Sequence, residues 1–256
     1  MLQFISDIHL EFYKTKINIK KFLTPCAPNL AILGDLGYPH SEHFADFLQQ
    51  ASINYQKVFF VAGNHEYYAN SNKDRPTMKE IDIKIKEVCN NYNNIFYLNN
   101  DEHMLNDNTI ILGTTLWSHI PDNKKRKIKN SMNDYLQIYT NYNIHLTVED
   151  SNHLHEKAVR WLKNKIDQYH DKNVIVLSHH LPSFQLIDKS YEGSEINYAF
   201  ATDLEYLMKC NVKYWLAGHT HFPAHIKINQ CQCLVNPLGY PGENEIKDEQ
   251  KIMCIE

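Results

Sequence analysis

Two observations on this 256-residue sequence predict an α/β fold. Short apolar runs alternate with stretches of helical periodicity through the early half, the order of βαβ layering rather than of a β-meander. In addition, three of only eight glycines close an apolar run and are followed at once by a residue able to bind a metal: Gly34-Asp35, Gly63-Asn64 and Gly218-His219. Glycine at such a point permits a tight backbone turn, by which a strand end presents the next side chain.

The elements follow in order. LQFIS (2–6) and NLAIL (29–33) read as strands, and 41–52 reads as a helix that Ser41 can cap. KVFFVA (57–62) is a buried strand, and 77–92 repeats Met78, Ile81, Ile85 and Val88 at helical spacing. IFYL (95–98) and TIILG (109–113) are extended pieces. Residues 118–150 are the least patterned, with the basic run KKRKIK (124–129) at their centre, and predict loops or a short helical cap. A long helical pattern covers 148–169, the strand NVIVLS covers 173–178, and FATDLEYLMKC (200–210) reads as a helix. KYWLA (213–217) is a strand, and AHIKI and QCLVN form a closing pair. With no repeat and no linker, a single domain over 1–256 is expected, with cap loops at 118–150 and 181–199.

Composition narrows the function classes. A formal net charge of −4 and a pI near 6.4 leave no broad electrostatic footprint for duplex nucleic acid, so extensive nucleic-acid binding is not expected. No tract resembles a membrane span, and the apolar residues before Asp7 read as a first core strand rather than a cleavable signal, so the mature chain is expected to begin near Met1. The six cysteines are scattered and form no CxxC pair, which points to reduced thiols and a cytoplasmic location. Arginine is limited to Arg75, Arg126 and Arg160 against fifteen histidines, an inventory suited to handling charge with metals rather than guanidinium clamps.

Polar residues at the predicted strand ends supply the donors: Asp7 and His9, Asp35, Asn64 and His65, His179, and His219 with His221. Residues i and i+2 of a strand face the same way, so Asp7/His9 and His219/His221 are each suited to reach one ion together. Eight oxygen or imidazole donors without a thiolate exceed one tetrahedral zinc. They suit two ions of manganese, iron or zinc that share a carboxylate.

In this order the motifs DIH, GD, GNHE, the first histidine of SHH, and GHTH resemble the calcineurin-like metallophosphoesterase family across nearly the whole chain. GTTLWS, ATDLEYL and NPLGYPGEN are similar to a bacterial and phage-type branch whose substrate is unassigned. The resemblance implies a four-layer αββα sandwich of two mixed β-sheets. It also implies that Asp7, His9 and His221 hold one ion and Asn64, His179 and His219 a second, with Asp35 bridging. His65 would then face the substrate as proton donor or charge stabiliser, and a hydroxide between the ions would attack phosphorus in line. One departure stands out: in the family's phosphoprotein phosphatases the GD motif runs on to a second aspartate that orients the catalytic histidine, whereas GDLGYP has Tyr38 there and no arginine after it.

The reading is thus a binuclear-metal-dependent hydrolase of a small phosphomonoester or phosphodiester, possibly a nucleotide. A nuclease and a non-catalytic interaction scaffold of the same fold are the alternatives. Other residues take plainer expectations. Glu66 should bond backbone amides beneath its turn, His180 is open between the substrate side and a packed or backbone-bonded place beside His179, and KKRKIK should be a solvated face, with a nucleotide phosphate or an acidic partner as the alternative. His119 is open between pocket and surface. Tyr67 and Tyr68 are open between base stacking and core, with core favoured for at least one. Trp117, Trp161 and Trp215 are expected in the core.

Overall fold

The computed structural model describes residues 1–69, 75–243 and 247–256; the last residue of the NPLGYPGEN stretch lies outside them. Two mixed sheets are built. In the first, β1 (Leu2–Ile5), β2 (Asn29–Leu33), β3 (Lys57–Val61) and β4 (Ile95–Tyr97) run parallel, and the last strand, Cys254–Ile255, pairs antiparallel with β1. In the second sheet β6 (Thr109–Thr114) pairs antiparallel with the edge strand β5 (Asp101–Asn106) and parallel with Asn173–Ser178; that strand runs parallel to Val212–Ala217. Cys231–Val235 continues the parallel order, and Ala224–Ile228 closes the edge antiparallel.

Strand alternation assigns each residue to a layer. Ala31, Leu33, Phe59 and Val61 point inward and meet Ile175, Leu177 and Leu216 of the other sheet. Leu30, Ile32, Val58 and Phe60 point outward onto α1 (Glu42–Asn54) and α2 (Met78–Cys89), which return Phe44, Phe47, Ile81 and Ile85. On the far side Val174, Val176 and Trp215 pack against Ala158, Leu162 and Ile166 of the long helix Val148–Gln168. Four layers, αββα, result. Ser41 caps α1 through Phe44 N, while Thr77 and Glu80 form a capping box on α2, so both helices begin where their sequences place them.

The structure corrects one element. Residues 200–210 are not a helix; only Glu205–Leu207 makes a single 3₁₀ turn. Their backbone instead bonds to the segment after Ser178: Leu181 N to Phe200 O, Thr202 N to Leu181 O and Leu204 N to Pro182 O. Ala201, Leu204, Leu207 and Met208 reach the core from this strap. Two strands of the main sheets were not expected, β5 and the C-terminal Cys254–Ile255. The unpatterned 118–150 stretch holds short helices, Lys125–Ser131 and Asp134–Gln137, and a small hairpin of Tyr139–Asn141 with Ile144–His145. Within KKRKIK, Ile128 is buried, Lys125 pairs with Asp122 and Glu149, and Lys124 pairs with Glu195. The run is therefore only partly a solvated face. No helix among the described residues is long and apolar enough to cross a membrane.

Candidate metal centre

Because β1, β2, β3, Asn173–Ser178 and Val212–Ala217 all run parallel within their sheets, their C-terminal ends gather the loops that carry the predicted donors. The donors do not stand on the strands themselves. Asp7, His9, Asp35, His219 and His221 all have positive φ, between 52° and 75°. Side-chain convergence therefore comes from left-handed backbone kinks, not from the i/i+2 alternation the sequence led us to expect. Main-chain bonds hold the kinks in place: Asp7 N to Gly34 O, His9 N to Asp35 O and Leu10 N to Leu36 O zip the loops after β1 and β2. Gly63 is needed for close approach rather than for a turn, since a Cβ there would lie 2.2 Å from Asp35 Oδ1 and 2.7 Å from His179 Cε1.

Glu66 performs the structural task expected of it. Its buried carboxylate accepts from the N–H groups of Asp35, Leu36, Gly37 and Gly63, fixing the GD and GNH turns to each other. His180 is buried with Nδ1 against Thr115 O, and His119 is at the surface. Tyr67 is core, with its hydroxyl on Asp82. Tyr68 is buried as well, yet its ring forms part of the cleft wall beside His65. Trp117 and Trp215 are buried, and Trp161 is half-buried against the core.

The seven candidate ligands fall into two groups sharing one region. Asp7, His9 and His221 bring ligand atoms within 4.8 Å of one another, as do Asp35, His179 and His219. Asn64 joins the second group, its Oδ1 3.0 Å from His179 Nε2. A third combination, His9, Asp35 and His65, meets the same distance, so His65 stands at the junction of the groups.

Hydrogen bonding fixes which atoms are left to bind. His9 Nδ1 lies 3.0 Å from Glu11 Oε1 and His221 Nδ1 lies 2.7 Å from Glu243 Oε2. Each ring donates to its carboxylate, so the two Nε2 atoms, 3.0 Å apart, meet lone pair to lone pair in neutral rings. The second group repeats the arrangement. His179 Nδ1 donates to Leu33 O at 2.7 Å, and Asn64 gives its amide N–H groups to Asp134 and Tyr68, so in the neutral ring that a metal ligand must be, Nε2 faces the amide oxygen acceptor to acceptor. His219 Nε2 is buried without a hydrogen-bond partner. Opposed acceptors and an orphaned imidazole nitrogen fit cations between them.

Charge in the bare site follows the same logic. Burial opposes ionisation of Asp35, but His179, His65 and His9 hold its carboxyl well below the usual range. Burial likewise opposes the charge on His65, and the Asp35, Glu11 and Asp134 carboxylates overcome it, pushing the imidazole up to about 9. Burial lowers His219 far below the ordinary histidine value, with His180 and His179 adding repulsion.

Above the donors opens a cleft of about 460 Å³. Met132 and Asn133 from the 118–150 stretch and Ile187 and Tyr191 from the 181–199 stretch line it, with Phe222 and Tyr240. Three carboxylates escaped the sequence reading: Glu11, Asp134 and Glu243. Glu11 stands two residues after the DIH motif, a signal that could have been used; nothing local marks the other two.

A family model described as calcineurin-like phosphoesterase matches residues 3–223. The uncharacterized protein L509 of Acanthamoeba polyphaga mimivirus is 34% identical over 266 residues, covering 95% of this chain and 92% of that one. Among solved structures, phosphopantetheinyl hydrolase from Mycobacterium tuberculosis superposes with a TM-score of 0.71 at 17% identity, over 94% of this chain and 89% of the other. The Thermus thermophilus protein TT1561 gives a TM-score of 0.52 at 13% identity, over 82% and 77%. At those identities the solved structures speak for the fold. With motifs, layers and gathered donors all in agreement, the family match over most of the chain establishes that it belongs to the calcineurin-like phosphoesterase family.

Proposed function

We propose that the chain is a binuclear-metal-dependent hydrolase of small phosphoesters, with Asp7, His9 and His221 holding one ion, Asn64, His179 and His219 the other, and Asp35 shared. The observation that carries this reading is the pair of opposed acceptors. His9 Nε2 against His221 Nε2 and His179 Nε2 against Asn64 Oδ1 each stand 3.0 Å apart, one pair in each group. With the rings neutral, as metal ligands must be, two separate acceptor pairs suit two cations, and all-oxygen-and-imidazole donors suit manganese, iron or zinc.

When bound, such ions lower the pKa of a water and offset charge on phosphate oxygens. The protein's part is to hold and position. Asp35 Oδ1 accepts from His65 N at 2.9 Å, which ties the shared carboxylate to the turn carrying His65. His65 Nε2 lies 3.3 Å from Tyr240 Oη, and His65 lines the cleft, where it can pass a proton to a departing ester oxygen. The cleft volume suits a small phosphomonoester or phosphodiester, a nucleotide included. Lining residues from 118–150 and 181–199, and the Lys124–Glu195 ion pair between those stretches, support their role as a cap on one domain. Six unpaired thiols support a reducing, cytoplasmic compartment.

The test is to strip the protein with chelator, reload it with manganese, and follow p-nitrophenyl phosphate and bis-p-nitrophenyl phosphate, with Asp35→Asn as control. Hydrolysis of either ester that falls by on the order of 10²–10³-fold in the control supports the mechanism. No hydrolysis, or a control as active as the parent, sinks it.

A further inference from the structure

We propose that Glu11 is the positioning carboxylate of His65, taking over from another element the task left vacant at Tyr38, and that it links His65 to the first ion site through His9. The proposal rests on the reading of His65 as proton donor. Glu11 lies in a 3₁₀ turn, Leu10–Phe12, directly after the left-handed kink at His9. Its Oε1 sits 2.9 Å from His65 Nδ1 and 3.0 Å from His9 Nδ1, and the side chain is 2% exposed. The two imidazoles meet nearly edge to face, at 72° with centroids 4.5 Å apart, on either side of that oxygen.

A carboxylate only accepts, so both Nδ1 atoms must carry hydrogen. That fixes both rings at once. His9 is left with Nε2 toward the first donor group, and His65 is left with Nε2 toward the cleft. The run that lacks the aspartate also makes room for the glutamate: a Cβ on Gly37 would stand 3.2 Å from Glu11 Oε2 and 3.0 Å from Leu10 Cβ. Tyr38 is half-buried against the hydrophobic core. In the reaction the P–O bond to the leaving group breaks while water-derived hydroxide forms the new one. The Nε2 proton of cationic His65 goes to the departing oxygen, and the neutral ring keeps its Nδ1–H on Glu11.

The test compares Glu11→Gln, His65→Asn and the double variant on phenyl esters, whose leaving group needs a proton, and on 2,4-dinitrophenyl esters, whose leaving group does not. Glu11→Gln should lower phenyl ester turnover by about 10–100-fold and dinitrophenyl ester turnover by less than about threefold at saturating manganese. The double variant should be no slower than His65→Asn on phenyl esters, because the two residues act as a unit. Equal losses on both ester classes, or losses that multiply in the double variant, would overturn the proposal. A readout independent of activity is proton NMR of the zinc-loaded protein. Hydrogen-bonded Nδ1–H signals from both His9 and His65 should be present in the parent and both altered by Glu11→Gln; absence of either in the parent overturns the proposal by itself. Intact paired signals in a protein that cleaves no phosphoester would instead refute the hydrolase reading and the proton-donor part of this proposal, while the shared anchor stands.

Discussion

The two donor groups of the centre are anchored in different ways. His179 leans on a main-chain carbonyl, Leu33 O, inside the β2 end, and Asn64 leans on buried Asp134 and Tyr68. His9 and His221 lean on side-chain carboxylates, and Glu243 has a side chain 41% exposed. Even the rings above them differ: Phe200 stacks on His219 at 4.5 Å, whereas Tyr240 covers His9 and His221 with a polar ring. The second group is thus an extension of the sheet core, and the first is clamped by side-chain carboxylates, one of which, Glu243, stands at the cleft mouth. Damage to the former should register as lost fold stability, and damage to the latter as lost metal affinity.

The strongest way to break that contrast is Gly34→Ala. Leu33 O cannot be mutated, but a Cβ on Gly34 would lie 2.4 Å from His179 Nδ1 and 2.6 Å from Gly63 N, at φ +85°. Overpacking of about 1–3 kcal/mol adds to a left-handed penalty of about 1–2 kcal/mol. Denaturant unfolding of the metal-free variant should show a stability loss of that combined size. Unchanged stability would mean the second group is not built into the core.

Glu243→Gln probes the other side. Manganese affinity at one of two sites should fall by about 10–100-fold in calorimetric titration. Unfolding of the metal-free protein should stay within about 0.5 kcal/mol of the parent. A comparable loss at both sites would erase the distinction.

How much of this was legible in the sequence depends on the range over which each residue's role is set. The seven donors and Glu66 declare themselves because each follows a strand-like run and its partners repeat the pattern in order. The supporting carboxylates do not, because they act across the chain: Glu11 reaches His65 over 54 positions and Asp134 reaches Asn64 over 70. The backbone kinks at Asp7, His9, Asp35, His219 and His221 were invisible for another reason. Aspartate and histidine tolerate positive φ without requiring it, so only the packed loops impose it. Residues 200–210 misled because Leu204, Leu207 and Met208 fit a helical stripe, while the cross-bonds to Leu181 and Pro182 cannot be read from periodicity.

The pH response of the metal-free protein sharpens the comparison further. Burial opposes the charge on His179, yet Asp35 and Asp7 push it up to about 10, and His65 is pushed up to about 9. Raised folded-state values give stability that is complete below the unfolded value near 6.5 and is lost as pH climbs through 9 and 10. Each ring contributes a slope of up to about 1.4 kcal/mol per pH unit in that window. His219, lowered by burial, acts oppositely and costs stability as pH falls below 6.5. Denaturation in chelator should therefore show a maximum near that value. With manganese present the His179 share of the alkaline decline should vanish, because coordination replaces its proton, while the share of His65, which is not a ligand, stays. An alkaline decline of undiminished slope with metal would show that His179 is not a ligand.

Tyr240→Phe carries the smallest expected effect and separates covering from bonding at the first group. The phenylalanine keeps the ring over His9 and His221, with centroids at 4.5 and 4.6 Å, and removes only the hydroxyl 3.3 Å from His65 Nε2. A hydrogen bond as long as this one contributes about 0.5–1.5 kcal/mol, so turnover should change by roughly two- to tenfold with manganese affinity unchanged. Tyr240→Ala should in addition weaken manganese at the first site, since water then reaches the imidazoles that the ring had covered. If the phenylalanine and alanine variants bind metal equally well, the aromatic cover contributes nothing to the first site. The contrast between the groups would then rest on their anchors alone.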